Sequence, residues 1–189
     1  KLSGELARRI RQVIEDGQPP EWKWNFVVHN EKPQDSEGIF GKDRLLIDLE
    51  LELTGRGAHP RFQFEAKRLR RSRTDCVAEY LNEEGLQSYV EGHYAHGHPA
   101  AGMLGLIQSD HEDYWLRRLE ERLQKVATDT RWDAKEGWTR VELVKGLVSA
   151  YRTIHDRDPK HGGRLEVFHT FLDCSLSVVG QAPTLPAAP

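Results

Sequence analysis

Two stretches of the chain decide its fold: residues 45–53, which read LLIDLELEL, and residues 61–67, which read RFQFEAK. In the first stretch the odd positions are apolar, and the even positions from Asp48 onward are acidic. The second stretch alternates in the same way. Alternation with period two is typical of a β-strand with one buried face. Turn-forming residues lie between the two stretches at 54–60, so the pattern predicts an antiparallel hairpin.

The predicted hairpin brings Asp48, Glu65 and Lys67 to one face, because alternate side chains of a strand point the same way. A turn centred between residues 56 and 57 sets Asp48 opposite Glu65, with Cβ atoms roughly 4.5–5.5 Å apart. Two carboxylates at this distance repel each other unless a cation lies between them, and Mg²⁺ prefers oxygen ligands. The pattern therefore predicts a divalent-metal site. The Ala66 carbonyl oxygen is a further candidate ligand, and Lys67 is placed to orient water or offset charge.

The acidic pattern also has a simpler interpretation. Residues such as Asp48, Glu50 and Glu52 often form a solvated strand face, where they pair with lysines across the strands. Two observations favour the metal site instead: helical segments flank the hairpin, and a basic segment follows Lys67 at the position where a phosphate backbone would need it. The residues predicted to contact nucleic-acid phosphate are Arg68, Arg70, Arg71 and Arg73.

The remaining patterns predict helices and strands in alternation. Helices are predicted over 2–15, in short turns within 74–90, and over 111–128. Strands are predicted over 22–28, 102–107, 147–155 and 164–173, and a loop over 30–42. Thr74 is the expected cap of the helix that follows it. Interleaved strands and helices indicate an α/β class, with one domain over residues 1–180 and a proline- and alanine-rich tail at 181–189.

Composition restricts the class of protein. The chain has 189 residues, of which 38% are hydrophobic and 30% charged, as is usual for one globular domain. No apolar run approaches the roughly 20 residues that span a bilayer, and there is no signal-peptide pattern, so no membrane association is expected. Cys76 and Cys174 lack metal-like spacing, which favours a reduced cytoplasmic protein. A net charge of −3 does not indicate nucleic-acid binding, but a phosphate contact depends on local charge.

Histidine and aromatic residues offer alternative sites. A zinc site at His93, His96 and His98 would need a further ligand, so a glycine-rich surface loop is the favoured interpretation. His169 alternates with apolar residues and is interpreted as a core histidine, whereas His155 is a candidate phosphate contact. The aromatic residues that could stack on bases, but are more often core residues, are Tyr89, Tyr94, Trp115, Trp132 and Trp138.

The segment from Asp48 to Arg68 resembles the PD-(D/E)xK nuclease superfamily, which has the restriction-endonuclease-like fold. Its members carry an Asp on one strand and a Glu-x-Lys on the next, followed by a helix. Here Asp48 matches the Asp and residues 65–67 match the Glu-x-Lys, while Ile47 stands where the superfamily name has Pro. Segments further along resemble an uncharacterised bacterial subgroup, so the resemblance covers most of residues 45–174. These segments are Tyr80, Gly85, Tyr89, Gly92, Tyr94, Ala95, 101–105, 151–155 and 169–173.

This resemblance implies an α/β fold in which helices flank a mixed central sheet. It implies a nuclease that depends on Mg²⁺ or Mn²⁺ and acts on DNA. Asp48, Glu65 and the Ala66 carbonyl would be the metal ligands, with Lys67 as the third catalytic residue. Many members add an acidic residue from the first helix, for which Glu5 and Glu15 are the candidates here.

The bacterial subgroup further implies an effector of anti-phage defence that works with partner proteins or as a homo-oligomer. The alternative is a module on the same fold that has lost cleavage and serves as a nucleic-acid clamp or a scaffold. The Asp–Glu–Lys trio favours the nuclease, because a pure binder has no need of mutually repelling carboxylates.

Overall fold

The computed structural model describes residues 2–16, 25–34, 45–54, 60–71, 75–126, 137–143, 145 and 149–175. Its elements in chain order are α1 (Leu2–Asp16), β1 (Phe26–Pro33), β2 (Leu46–Leu53), β3 (Arg61–Leu69), α2 (Cys76–Leu81), α3 (Leu86–Val90), β4 (Ala100–Ile107), α4 (Glu112–Val126), β5 (Thr139–Arg140), β6 (Ala150–His155) and β7 (Leu165–Asp173). A 3-10 turn, Pro159–His161, lies between β6 and β7. None of the described helices combines the length and the apolar character needed to cross a membrane.

Seven strands of the described chain form one mixed sheet in the order β1-β2-β3-β4-β7-β6-β5. The central strands β3, β4 and β7 are parallel to one another, and the remaining neighbours are antiparallel. Parallel neighbours need a crossover connection, and α2 and α3 provide it between β3 and β4. The α/β prediction, with helices flanking a mixed central sheet, is confirmed.

Helices pack on the sheet through two apolar clusters. Ala7 of α1 packs with Leu49 and Leu104 in the smaller cluster. Helices α2, α3 and α4 contribute to the larger one, which includes the fully buried Trp115. Strand β4 is almost wholly buried, as expected for the middle of a parallel region. Gly105 of β4 is required there, because a Cβ at this position would lie only 2.4 Å from the ring of Phe171.

Most predicted elements are confirmed, and the differences are local. The strand predicted over 22–28 is present from Phe26 and continues to Pro33, so the predicted loop is wrong over residues 30–33, while residues 22–24 lie outside the described residues. These polar residues form a strand because they pair with β2, as Lys32 does with Ile47. The two-residue strand β5 was not predicted. The hairpin turn 55–59, residues 35–44 and the tail 181–189 lie outside the described residues.

The helix that follows the basic segment has a different cap from the predicted one. Asp75 accepts hydrogen bonds from the N–H groups of Val77 and Ala78 with its side chain, so it caps α2. Thr74 lies outside the described residues. Aspartate is as favourable as threonine at this position, because its carboxylate satisfies the same free N–H groups.

Candidate active site

The hairpin of β2 and β3 has the register that the sequence predicts. Leu49 pairs with Phe64 and Glu52 pairs with Arg61. The paired positions end at Leu49, so Asp48 is the first β2 residue beyond them. There its Oδ2 accepts a hydrogen bond from the Ala66 N–H at 3.0 Å. Asp48 is therefore tied to β3 by its side chain where the backbone pairing has stopped.

The pairing of β2 with its other neighbour, β1, is also interrupted at Asp48. The β1–β2 pairing omits Asp48 and its counterpart Glu31, although it continues on both sides of them. Glu31 has a φ of 51°, which is uncommon for any residue other than glycine and which interrupts a strand. Ile47 and Leu49, two residues apart on β2, consequently pack into different apolar clusters. Strained backbone of this kind is frequent at binding sites.

A cavity with a volume of about 460 Å³ opens at this irregularity. Its apolar lining includes Leu46 and Leu106. The charged residues that line it are Glu31, Asp48, Glu65, Lys67, Arg68, Glu79 and Glu84. Five carboxylates thus face two cations in this space, so the cavity favours a positively charged ligand. Asp48, Glu65 and Lys67, the three predicted catalytic residues, all lie at this cavity.

Glu65 carries the most perturbed carboxyl group of the cavity. Its side chain is almost fully buried, and its Oε1 accepts a hydrogen bond of 2.8 Å from Lys67 Nζ. Its Oε2 is buried and accepts no hydrogen bond from any residue that the structure describes. Burial raises the pKa of Glu65 to about 8, and the Asp48 carboxylate adds to the rise, against the opposing effect of the Lys67 ammonium. Burial is thus a larger cause of the raised pKa than repulsion between the two carboxylates.

A divalent cation fits the groups that are present. A buried carboxylate oxygen without a donor is costly, and either a proton or a metal ion would satisfy it. Glu65 and Asp48 line the same cavity, and a hard cation between their carboxylates would replace their mutual repulsion with attraction to both. Asp48 and Glu65 are thus the residues that would hold the ion.

Glu50 does not belong to a solvated acidic face. Only 1% of the residue is exposed, and Lys32 Nζ donates to its Oε1 at 2.5 Å. Gln63 donates to its Oε2 at 2.8 Å. For Glu50, the simpler interpretation is thus right about pairing with a lysine across the strands but wrong about exposure to solvent. Glu50 is satisfied by its neighbours and is separate from the cavity.

His29, Glu50 and Glu52 offer a second group of potential metal ligands. Their ligand atoms all lie within 4.8 Å of one another, and His29 Nε2 is 3.1 Å from Glu52 Oε2. Two cations already occupy this region, since Arg61 Nε lies 3.8 Å from both carboxylates and Lys32 pairs with both. An additional divalent ion would be repelled by these charges, so an ion-pair network is the better description.

The arginines of the basic segment after Lys67 differ in their contacts. Arg68 is exposed and lines the cavity, and Arg70 is exposed as well. Arg71 is paired with Asp110 by two contacts, from Nε to Oδ2 at 3.0 Å and from NH2 to Oδ1 at 2.7 Å. Arg73 lies outside the described residues. Of the described arginines, Arg68 is therefore the one placed at the candidate site.

Acidic residues from the first helix do not reach the cavity. Glu5 forms ion pairs with two arginines of its own helix, and Glu15 is exposed. Glu31, Glu79 and Glu84 line the cavity instead, and the sequence interpretation missed all three. Their positions depend on the bend of β1 and on the placement of α2. For Glu79, its short distance in sequence from the Glu-x-Lys segment could have indicated a place near the site.

The late histidines are core residues. His155 and His169 are fully buried, and Thr153 Oγ1 lies 2.8 Å from Nε2 of each. Tyr80 OH lies 3.0 Å from His169 Nδ1. The core interpretation of His169 is thus confirmed, and the proposed phosphate contact of His155 is wrong, because a fully buried imidazole cannot meet a phosphate. The aromatic residues confirmed as buried core are Tyr89, Tyr94 and Trp115.

Asp48, Glu65 and Lys67 therefore meet at one acidic cavity, where the hairpin pairing ends and one buried carboxylate oxygen, Glu65 Oε2, has no donor among the described residues. Comparison of the chain with protein-family models, with curated proteins and with solved structures found no match. The function of the chain must be inferred from the geometry and charge of this site.

Proposed function

We propose that the chain is a nuclease of the PD-(D/E)xK superfamily that uses Mg²⁺ or Mn²⁺ to hydrolyse phosphodiester bonds, with DNA as its substrate. The observation that carries the proposal is the meeting of Asp48, Glu65 and Lys67 at one cavity. The sheet supports a restriction-endonuclease-like fold, because the antiparallel hairpin with the trio is followed by helices and a parallel strand. A role in anti-phage defence, with partner proteins or as a homo-oligomer, rests on resemblance alone.

Each residue of the trio has a role that follows from its surroundings. Asp48 and Glu65 would hold the cation, which when bound withdraws charge from the phosphate and lowers the pKa of water. Lys67 is 16% exposed, and its Nζ is fixed 2.8 Å from Glu65 Oε1, so its remaining N–H groups are available to the cavity. They would donate to the attacking water or to a phosphate oxygen. Low exposure strengthens these contacts, because little water screens them.

A second candidate function is a nucleic-acid clamp without cleavage. The observation in its favour is the raised pKa of Glu65, about 8, which keeps this carboxyl group largely protonated at neutral pH. A proton shared with Asp48 would relieve the repulsion without any metal ion. The acidic cavity argues against the clamp, because it repels phosphate unless a cation is present.

Cleavage assays on duplex DNA, single-stranded DNA and RNA test the proposal. We expect cutting with Mg²⁺ or Mn²⁺, little with Ca²⁺ and none with EDTA. Glu65→Gln and Lys67→Ala should each lower the rate by about 100-fold or more, because the groups act as one unit. Glu52→Gln is the matched control: it removes a carboxylate from the same hairpin outside the cavity and should keep activity. Cutting by Lys67→Ala in EDTA at the parental rate would refute the metal-dependent mechanism, and binding of a nucleic acid by the parent in Mg²⁺ and Mn²⁺ without any cutting would favour the clamp.

A further inference from the structure

Two histidines from different loops face each other away from the cavity. His96 lies in the loop between α3 and β4, and His161 ends the 3-10 turn before β7. Their Nδ1 atoms are 3.3 Å apart, and their ring planes are inclined by 77°. Neither residue lines the acidic cavity. The zinc interpretation of the loop histidines did not include His161, which is 65 residues from His96 in sequence.

The distance between the two Nδ1 atoms matches metal coordination. A hydrogen bond from a protein N–H is usually about 2.9–3.0 Å long, so 3.3 Å is long for a direct bond between the rings. Two nitrogen ligands at about 2.0–2.1 Å from a tetrahedral Zn²⁺ ion lie roughly 3.3–3.4 Å from each other. The observed separation is that of two corners of such a tetrahedron.

The two loops are fixed by contacts that do not use the Nδ1 atoms. The Gly97 N–H donates to the His161 carbonyl at 3.1 Å, and the buried Arg157 donates to the Ala95 carbonyl at 3.2 Å. The ring of His161 lies against Gly92, where a Cβ would be only 2.3 Å from its Cγ. Gly92 also has a φ of 78°, which suits glycine. Because both loops and the His161 ring are held in place beforehand, binding an ion costs less conformational entropy than it would between mobile loops.

Chemistry of the ligands selects the kind of ion. Both donors are imidazole nitrogens, which bind a metal ion in their neutral form. Within the described part of the chain, no third His, Cys, Asp or Glu has a ligand atom within 4.8 Å of both partners. Water would therefore complete the coordination, which makes the site open and exchangeable. Imidazole suits zinc, nickel and copper, whereas carboxylates suit magnesium.

We propose that His96 and His161 bind one divalent transition-metal ion, with Zn²⁺ as the expected ion, through their Nδ1 atoms. The ion would join the loop after α3 to the turn before β7. This site is independent of the nuclease proposal, because its donors, its preferred ion and its location differ from those of the cavity.

Calorimetric titration of the full chain with Zn²⁺, in excess Mg²⁺ to occupy the carboxylate cavity, tests the site. We expect one saturable site that is retained in Glu65→Gln, a variant which should not cleave. His96→Ala and His161→Ala should each weaken Zn²⁺ binding at least tenfold. His93→Ala is the matched control, because His93 is an exposed histidine of the same loop whose Nε2 lies near Glu91. This variant should bind Zn²⁺ as the parent does.

Imidazole ¹⁵N NMR of the parent protein provides a readout that needs no variant, in case His161→Ala fails to fold. Zn²⁺ should shift the Nδ1 resonances of His96 and His161 together and leave that of His93 in place. Unchanged Zn²⁺ affinity in His96→Ala would overturn the proposal. Equal losses in His93→Ala and His96→Ala would overturn it as well, because the loop would then bind zinc without a defined pair.

Discussion

The carboxyl group of Glu65 remains protonated at pH values where a carboxyl group in water is ionised. Its burial removes solvent from the carboxyl group, and its 2.8 Å contact with Lys67 compensates only in part, so its pKa reaches about 8. The Asp48 carboxylate adds to this rise. An ionised Glu65 is therefore costly even beside Lys67 and would be stabilised by a second cation, which is a property expected of a metal ligand and not of an ordinary ion pair.

Stability measured without metal should reveal this state. The folded protein binds the Glu65 proton more tightly than the unfolded chain does, since the ordinary pKa is 4.5 and the folded pKa about 8. Its contribution favours folding below pH 4.5 and is lost as the pH rises toward 8. The side chain of the Glu65→Gln variant is neutral at every pH. We therefore expect the difference in free energy of unfolding in EDTA, variant minus parent, to rise by up to about 1.4 kcal/mol for each pH unit between pH 4.5 and 8. Urea unfolding at several pH values measures the difference.

Glu52→Gln controls for the loss of a carboxylate from the hairpin. The pKa of Glu52 is lowered: burial acts to raise it, but Arg61, Lys32 and His29 outweigh that effect. Its substitution should therefore give no such gain between pH 5 and 8. Parallel pH profiles for the parent and Glu65→Gln would mean that Glu65 is ionised in the folded protein throughout this window.

At the level of secondary structure, two arginines at the end of β3 and just beyond it differ in their surroundings. Arg68 lines the cavity, whereas Arg71 holds Asp110 with two contacts and lies over the ring of Tyr114 at 5.3 Å. The sequence assigned both arginines the same role because they belong to one basic run, and both are exposed in the structure. Their partners distinguish them, because a charge that is already neutralised releases fewer counterions from DNA.

The salt dependence of DNA binding should separate the two arginines. In Ca²⁺, which supports binding with little cleavage, Arg68→Ala should lower the slope of log affinity against log salt by about one. Arg71→Ala, the matched control from the same segment, should change the slope less. Fluorescence anisotropy over a series of KCl concentrations measures both slopes. Equal slopes for the parent and Arg68→Ala would show that Arg68 makes no phosphate contact.

At the scale of the whole molecule, the fold holds two carboxylates together in a cavity that exists only when β1, β2 and β3 are assembled. A metal ion that binds this arrangement and not the unfolded chain must stabilise the protein. At a concentration one hundred times the dissociation constant, the gain is about 2.7 kcal/mol. The melting temperature thus reports on the site without any substrate.

Asp48→Asn tests this linkage. The amide oxygen can still accept the Ala66 N–H, but one of the two charges is lost. Above pH 8, where Glu65 is ionised, the variant should melt higher than the parent in EDTA and gain little from Mg²⁺. The parent and Glu52→Gln should both gain. Equal Mg²⁺ shifts in the parent and Asp48→Asn would mean that Asp48 is not a ligand.

The sequence predicted the hairpin and its register because both depend on neighbouring residues: period-two alternation sets the faces, and the turn length sets the pairing. It could not predict that Glu31 and Glu84 reach the cavity, since one depends on a positive φ in β1 and the other on how the segment after α2 lies over the sheet. The contact between His96 and His161 could not be predicted from the sequence either. Loops far apart in sequence come together only through the complete fold.

Strand order has a consequence for how the protein is made. β7 is the last described strand along the chain, yet it lies inside the sheet between β4 and β6. Until it has left the ribosome, the apolar edge of β4 has no neighbour on that side, and β5 and β6 have no attachment to the rest of the sheet. Unpaired apolar edges of this kind recruit other chains. The nascent chain therefore keeps an unpaired apolar edge until β7, which ends at Asp173, has left the ribosome.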